Sequence, residues 1–258
     1  MQEKKSAGER VRGKKISLDT DKVKEFFDAR RKKELPYLYN YTNYQDNRPE
    51  LALERDRAEK ARIAPLLDVD KEALILDIGC GVGRWGDEFA AHLVGKGRYI
   101  GVDYSEGILQ LAKEHAEKRR NFEFYCACFQ EICRALPLKY QGRIFDRILV
   151  NGVLMYINDD DLRACLESVK QLLADGGVVY IKESVSCGAR LTLNQIYSEE
   201  LTHDYSAIYR GIGEYEALWK EHFPADEGWK IASHGEVWDS ALSSRRETTS
   251  YFWLVQRQ

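Results

Sequence analysis

Asp77, Gly79, Gly81 and Gly83 stand at two-residue intervals in the stretch LDIGCGVGRW, between an apolar run and a helical one. Glycine weakens both strands and helices, so three of them at this junction mean that the backbone must come close to another object. A strand, a tight glycine turn and a helix start present N–H groups to a small ligand and favour negative charge there. Gly81-x-Gly83-x-x-Gly86 spells the pattern of a dinucleotide pyrophosphate loop. Asp77 argues against that use. A dianionic pyrophosphate gains nothing from a carboxylate at the strand end, whereas a cofactor with a cationic amino acid moiety does. A second acid, Asp103, ends the run RYIGVDY twenty residues after Gly83. A carboxylate there can accept both hydroxyls of a ribose. Nicotinamide-dinucleotide proteins share this second feature, so the discrimination rests on Asp77.

The elements that must hold these residues follow from the pattern. From residue 74 onward, short β-branched or aromatic runs alternate with helical stretches. The runs are ALILDIG, RYIGVDY, FEFYCA, FDRILVNG, GGVVYIKES, WKIASHGEV and YFWLVQR, and the helices lie near 84–94, 105–119, 159–174 and 213–223. The alternation predicts a Rossmann-like α/β fold: a seven-stranded, mostly parallel sheet with helices on both faces and a ligand at the carboxyl ends of its strands. Upstream, TDKVKEFFDARRKKE reads as a helix capped by Thr20 or Asp21, and YLYNYTNYQDNRPE as an aromatic, polar stretch. PELALERDRAEKARIAPLL reads as a second helix with Pro49 in its first turn. We expect a basic, mobile tail over 1–20, a helical lid over 21–70 and the α/β domain over 71–258.

Bulk properties narrow the classes. The chain has 258 residues, 44% of them hydrophobic, enough for one large α/β domain or one domain plus a small appendage. A formal charge of −3 and a pI of about 6.0 argue against a nucleic-acid binder. The charge is uneven, with twelve Lys/Arg against six Asp/Glu in the first 33 residues. None of the six cysteines forms a CxxC pair, so neither a metal site nor a disulfide framework is expected, and a reduced, cytoplasmic setting fits. No apolar stretch approaches the ~18 residues of a membrane span, and MQEKKSAGER lacks the apolar core of a signal peptide.

LDIGCGVGRW, then IGVDYSEGILQLAKEHA, then FDRILVNGVLMYINDDDLRACLESVKQLLADGGVVYIKE resembles, in order, the class I S-adenosylmethionine-dependent methyltransferases. The resemblance covers roughly residues 50–185. It implies S-adenosyl-L-methionine as cofactor. Asp77 and Gly79 would face its methionine end, Gly81 and Gly83 would shape the turn, and Asp103 would hold the ribose. Tyr104 would lie beside the adenine, and Asn151 where a backbone carbonyl often meets the cofactor's amine. The family often has an acid near the adenine amine after the third strand; this chain has ACFQEI there, with Cys128 in that place. Cys is a poor acceptor, so adenine recognition passes to Phe129 or Gln130. The segment before the core often forms a lid in this family, from which Tyr44 and Arg55 could reach the cofactor carboxylate.

Methyl transfer from a sulfonium is an in-line displacement, so the protein chiefly orients two partners and excludes water. A hydroxyl or protonated amine acceptor also needs a base. Candidates lie after the fourth and fifth strands: Glu183 at the end of VVYIKES, and His203, the natural base near neutral pH, in the polar, aromatic segment beyond it. Tyr205 and Tyr209 are four apart and would share a helical face, with Tyr209 near the chemistry. Lys182, Tyr205 and Arg210, the last as an anion binder, are the candidate substrate contacts. The expected activity is methylation of a hydroxyl or amine on a small metabolite, sugar or natural-product intermediate. Two alternatives stay open: a protein α-amine N-methyltransferase, loosely similar to the protein N-terminal methyltransferases, and a non-catalytic S-adenosylmethionine-binding partner protein.

Overall fold

The computed structural model describes residues 8–243 and 245–258. Its elements in chain order are β1 (Glu9–Arg12), α1 (Thr20–Arg31), α2 (Asn40–Asn43), α3 (Pro49–Leu67), β2 (Leu74–Ile78), α4 (Arg84–Phe89), β3 (Arg98–Asp103), α5 (Glu106–His115) and β4 (Phe122–Cys126). There follow α6 (Ile132–Ala135), β5 (Phe145–Asn151), α7 (Asp159–Leu172), β6 (Leu173–Ser186), β7 (Leu191–Ser198), β8 (His203–Tyr209), α8 (Ile212–His222), β9 (Trp229–Glu236) and β10 (Thr248–Arg257).

Seven strands make one sheet in the order β4-β3-β2-β5-β6-β10-β9. β2 to β6 run parallel, and β10 is antiparallel to both of its neighbours. These are the seven runs read from the sequence. Alternation along each strand sends side chains to two cores. Leu76, Ile78, Ile148 and Val150 meet Leu162 and Leu166 of α7 and Trp219 of α8 on one face. Ile75, Tyr99 and Leu149 meet Ile63 and Leu67 of α3 and Trp85 and Phe89 of α4 on the other.

A second, three-stranded antiparallel sheet has the order β1-β7-β8. It departs from the sequence reading twice. Residues Glu9–Arg12, expected within a mobile tail, pair with β7 from Glu9↔Asn194 to Arg12↔Leu191, while residues 1–7 lie outside the described residues. Tyr205 and Tyr209, expected on one helical face, lie instead in strand β8, where an even separation also places them on one side. A register shift between Leu193 and Ile196, with Gln195 at φ +53, breaks the two-residue period that would have announced β7.

α1 is capped by Asp19, which accepts from the Asp21 and Lys22 backbones, rather than by Thr20 or Asp21. It packs on α5 and β8. The buried Arg30 binds the Asn40 and Tyr41 carbonyls and the Asp46 carboxylate, fastening α1 to the segment around α2. Among the described residues no helix is long and apolar enough to cross a membrane.

Candidate active site

A cavity of about 580 Å³ opens over the carboxyl ends of the parallel strands and is roofed by residues of α1 and of the stretch after α2. Its lining follows the strand order. Asp103 and Tyr104 come from the end of β3, Asp77 to Gly81 from β2, Asn151 to Val153 and Met155 to Ile157 from the end of β5 and the turn after it, Lys182 and Ser184 from β6, and Thr248 to Ser250 from β10. Strands are spaced ~4.8 Å apart, so β3 to β10 spans about 19 Å.

The glycine turn forms the floor near β2. Gly79, Gly81 and Gly83 all have positive φ, at +71, +55 and +79. A Cβ on Gly79 would come within 2.3 Å of the Val153 side chain, and one on Gly81 within 2.6 Å of Thr42. Gly86 serves packing: its Cβ would stand 2.7 Å from Phe122, where α4 crosses the sheet. One Asp103 oxygen accepts from the Gly81 N–H and the other from the Ser105 N–H, each at 2.9 Å, which ties the turn to β3. Burial pushes Asp103 up to about 6, against those backbone bonds. Asp77, 2% exposed, accepts from the Tyr99 hydroxyl. Burial pushes it up to about 7, although the Tyr99 bond and the Arg84 charge pull the other way.

Beneath the centre of the cavity lies a buried charge network. Glu59 accepts from Asn151 Nδ2 at 2.7 Å, the Tyr180 hydroxyl at 2.8 Å, Arg84 at 3.0 Å and Lys182 Nζ at 3.2 Å. Burial raises the Glu59 carboxyl, but the Arg84 and Lys182 charges outweigh it and hold the group well below the usual carboxylate range. The side-chain oxygen of Asn151 is left buried without a partner, as is the Tyr104 hydroxyl. Both residues line the cavity. Buried acceptors are normally satisfied, so an N–H or O–H donor of a bound group is what Asn151 is set to meet.

Tyrosine hydroxyls gather on the wall under the roof. Tyr44 Oη lies 2.8 Å from Tyr156 Oη, which lies 2.9 Å from Tyr205 Oη. Tyr209 donates to Tyr205 at 3.4 Å, and Arg245 donates to Tyr209 at 3.1 Å. Burial raises the Tyr44, Tyr156 and Tyr205 hydroxyls above their ordinary value, so they are protonated at neutral pH.

The cavity brings together most of the sequence-derived cofactor set: Tyr44, Arg55, Asp77, Gly79, Gly81, Asp103, Tyr104, Cys128, Phe129, Gln130 and Asn151. Gly83 stands outside it, as the left-handed cap of α4 beside Phe124. Lys182 and Tyr205 also line it.

Four of the expected catalytic and substrate residues do not. Glu183, fully buried, accepts from the Val153, Leu154 and Met155 N–H groups at 2.9, 2.8 and 3.2 Å. It pins the turn after β5 and lies outside the cavity lining. His203, at the start of β8 on the same side as Tyr205, sits edge-on to Phe26 with Nδ1 on the Asp204 carbonyl and stands outside the lining. Tyr209 lies one step behind Tyr205. Arg210 is spent on Asp159 and on the Leu154 and Ile157 carbonyls, so it buttresses the same turn as Glu183 and is closed to an anion.

Tyr156, Arg84, Glu59, Trp238 and Arg245 belong to the lining and were missed. One signal existed: on α3, Asp56, Glu59 and Lys60 share a buried stripe with Leu51, Ala52, Ile63 and Leu67, and a charge on such a stripe needs partners. Trp238 and Arg245 follow β9 in a segment with no pattern to mark them.

Comparison with known proteins places residues 75–177 in a family described as a methyltransferase domain. Phosphoethanolamine N-methyltransferase 1 of Triticum aestivum is 25% identical over 134 residues, which is 52% of this chain and 26% of the wheat protein. The chain thus spans about a quarter of the length of that relative. Haemonchus contortus phosphoethanolamine N-methyltransferase 1, in complex with phosphoethanolamine and S-adenosylhomocysteine, superposes with a TM-score of 0.69 at 19% identity over 92% of this chain and 48% of that one. Burkholderia thailandensis 1,6-didemethyltoxoflavin-N1-methyltransferase, with 1,6-didemethyltoxoflavin and S-adenosylhomocysteine bound, superposes with a TM-score of 0.64 at 16% identity over 98% and 100% of the two chains.

Proposed function

We propose that this chain, a class I S-adenosylmethionine-dependent methyltransferase, methylates the nitrogen of a small amine held beneath its N-terminal segment. The residues present suit the cofactor. A side chain at Gly79 or Gly81 would fill the floor, and Asn151 Oδ1 waits for a donor. In this reading Asp77 and Asn151 accept from the cofactor's ammonium, Asp103 from its ribose hydroxyls, and Tyr104, Phe129 and Gln130 flank its adenine. When bound, S-adenosylmethionine supplies an electrophilic methyl group on a sulfonium.

The observation that carries the choice of nitrogen is the hydroxyl cluster of Tyr44, Tyr156 and Tyr205 on the cavity wall. These hydroxyls stay protonated, so they orient a nucleophile and do not act as tyrosinate bases. Among the described residues the lining holds no histidine. Toward β6 and β10 its carboxylate is Glu59, already committed to four donors. An alkanol would need a base during transfer. An amine that has given its ammonium proton to water before it binds attacks with its own lone pair, and the new proton on the methylated ammonium leaves with the product, so positioning and exclusion of water suffice. The wheat relative and both structural neighbours are named as N-methyltransferases, which supports the same choice.

The test is transfer from methyl-labelled S-adenosylmethionine into matched small amines and alcohols, phosphoethanolamine among the amines, with products resolved by mass. Label on nitrogen is expected. Label confined to alcohols, or to the α-amine of added proteins, would overturn the small-amine reading.

A further inference from the structure

Glu59, 1% exposed, stands on α3 one turn before Ile63 and reaches the carboxyl ends of β5 and β6. Its two oxygens meet different partners. Oε1 accepts from Asn151 Nδ2 and from the Tyr180 hydroxyl, at 2.7 and 2.8 Å. Oε2 accepts from Lys182 Nζ at 3.2 Å, and Arg84 spans both oxygens at 3.0 Å. Asp56, one turn earlier on α3, takes the other arm of Arg84 and the Lys60 ammonium, each at 2.8 Å. Two fixed cations therefore keep Glu59 ionised although it is buried.

An ionised carboxylate only accepts hydrogen bonds. Asn151 can meet it only through its NH2 group, and the carbonyl end of the same amide must then face elsewhere. That oxygen, Oδ1, is buried without a partner, and Asn151, the last residue of β5, lines the cavity. An asparagine amide can turn over, because its two ends are alike in shape. Here one orientation gains a charge-assisted bond to Glu59, and the other would set two acceptors against each other.

We infer that Glu59 is a positioning residue: by holding the NH2 end of Asn151 it makes the end of β5 a hydrogen-bond acceptor, and so selects a cofactor that carries a cationic amino group there. This role rests on the reading of the cavity as an S-adenosylmethionine site. Glu59→Gln keeps the shape of the side chain and reverses the polarity of one end. Arg84 and Lys182 can only donate, so the glutamine oxygen turns to them and its NH2 group to Tyr180 and Asn151. The Tyr180 hydroxyl can accept. Asn151 has to turn over, which brings its own NH2 group against the ammonium.

The test compares S-adenosylhomocysteine with methylthioadenosine, which has the same nucleoside thioether and no amino acid. Calorimetry reads both ligands in wild type, Glu59→Gln, Asn151→Ala and the double variant, with thermal melts to check folding. S-adenosylhomocysteine should bind each single variant about tenfold or more weakly than wild type, one charge-assisted bond, with methylthioadenosine within about twofold. Glu59→Gln added to Asn151→Ala should cost no more than about twofold further. Combining Glu59→Gln with Asn151→Asp keeps the net charge, lets the new amide hold the new carboxylate and leaves an acceptor toward the cavity. That exchange should return S-adenosylhomocysteine affinity to within about threefold of wild type, and it replaces Glu59→Gln if the single variant does not fold. Equal losses for the two ligands in Glu59→Gln would reduce Glu59 to a structural part. A full loss from Glu59→Gln in the Asn151→Ala background would mean that it acts on the ligand without Asn151. Either result, an unchanged ligand preference in Asn151→Ala, or an exchange variant that stays weak would overturn the inference. Failure of both ligands to bind the wild type would overturn the cofactor reading itself.

Discussion

Replacing Asp77 by Asn should lower cofactor affinity and also remove most of its pH dependence. Asp77 is buried at the end of β2, bonded to Tyr99, with its carboxyl pushed up to about 7 by burial. An ammonium ligand binds the ionised form. The ligand-free protein must therefore release a proton to bind whenever the pH is below that value, and affinity falls as pH falls. Between pH 8 and pH 6 the ionised fraction of a group titrating at about 7 drops from about 0.9 to about 0.1, a tenfold loss. Asp103, pushed up to about 6, adds about a factor of two over the same range. Wild-type affinity for S-adenosylhomocysteine should thus fall about twentyfold from pH 8 to pH 6. Asp77→Asn should fall only about twofold over that range. At pH 8 the variant should bind about ten- to a hundredfold more weakly, the roughly 1.5–3 kcal/mol of a charge-assisted bond. Calorimetry in buffers of different ionisation enthalpy reads both the affinity and the released proton. An equal pH slope in wild type and variant would refute the assignment of Asp77 to the cofactor's cationic end.

Gly79→Ala should abolish S-adenosylhomocysteine binding in a folded protein, since its Cβ would meet Val153 at 2.3 Å with φ at +71; unchanged affinity would remove the turn from the site. Glu183→Ala strands three backbone donors, so urea unfolding should show a loss of about 3 kcal/mol or more, with Glu183→Gln recovering much of it. His203→Ala should leave turnover within about twofold, because the imidazole faces Phe26 outside the cavity; a large loss in kcat would restore it as a base. Amides of residues 37–57 should gain hydrogen-exchange protection when S-adenosylhomocysteine is added, if that segment closes as a lid; identical protection with and without ligand would make its tyrosines packing residues.

Local chemistry was legible in the sequence. The seven strands showed because each is short, β-branched and bounded by turn residues, and because parallel strands buried on both faces read as apolar runs. The floor of the cavity showed because one turn carries it: positive φ at Gly79 and Gly81, and acids at fixed offsets on two adjacent strands, are properties of neighbours in the chain. The acceptor side was not legible. Tyr44, Tyr156 and Tyr205 come from three separate elements, and only the packing of α1 and β8 over the end of β5 joins their hydroxyls. Arg245 reaches Tyr209 across 36 positions of sequence. The same limit misplaced Glu183, His203 and Arg210. Their types fit a base or an anion binder, but the strand register and the turn after β5 decided what each touches. Side-chain chemistry belongs to the residue and can be read in order along the chain. Which groups face one cavity depends on long-range packing, which a linear sequence records only where the contacting residues are also near one another in the chain.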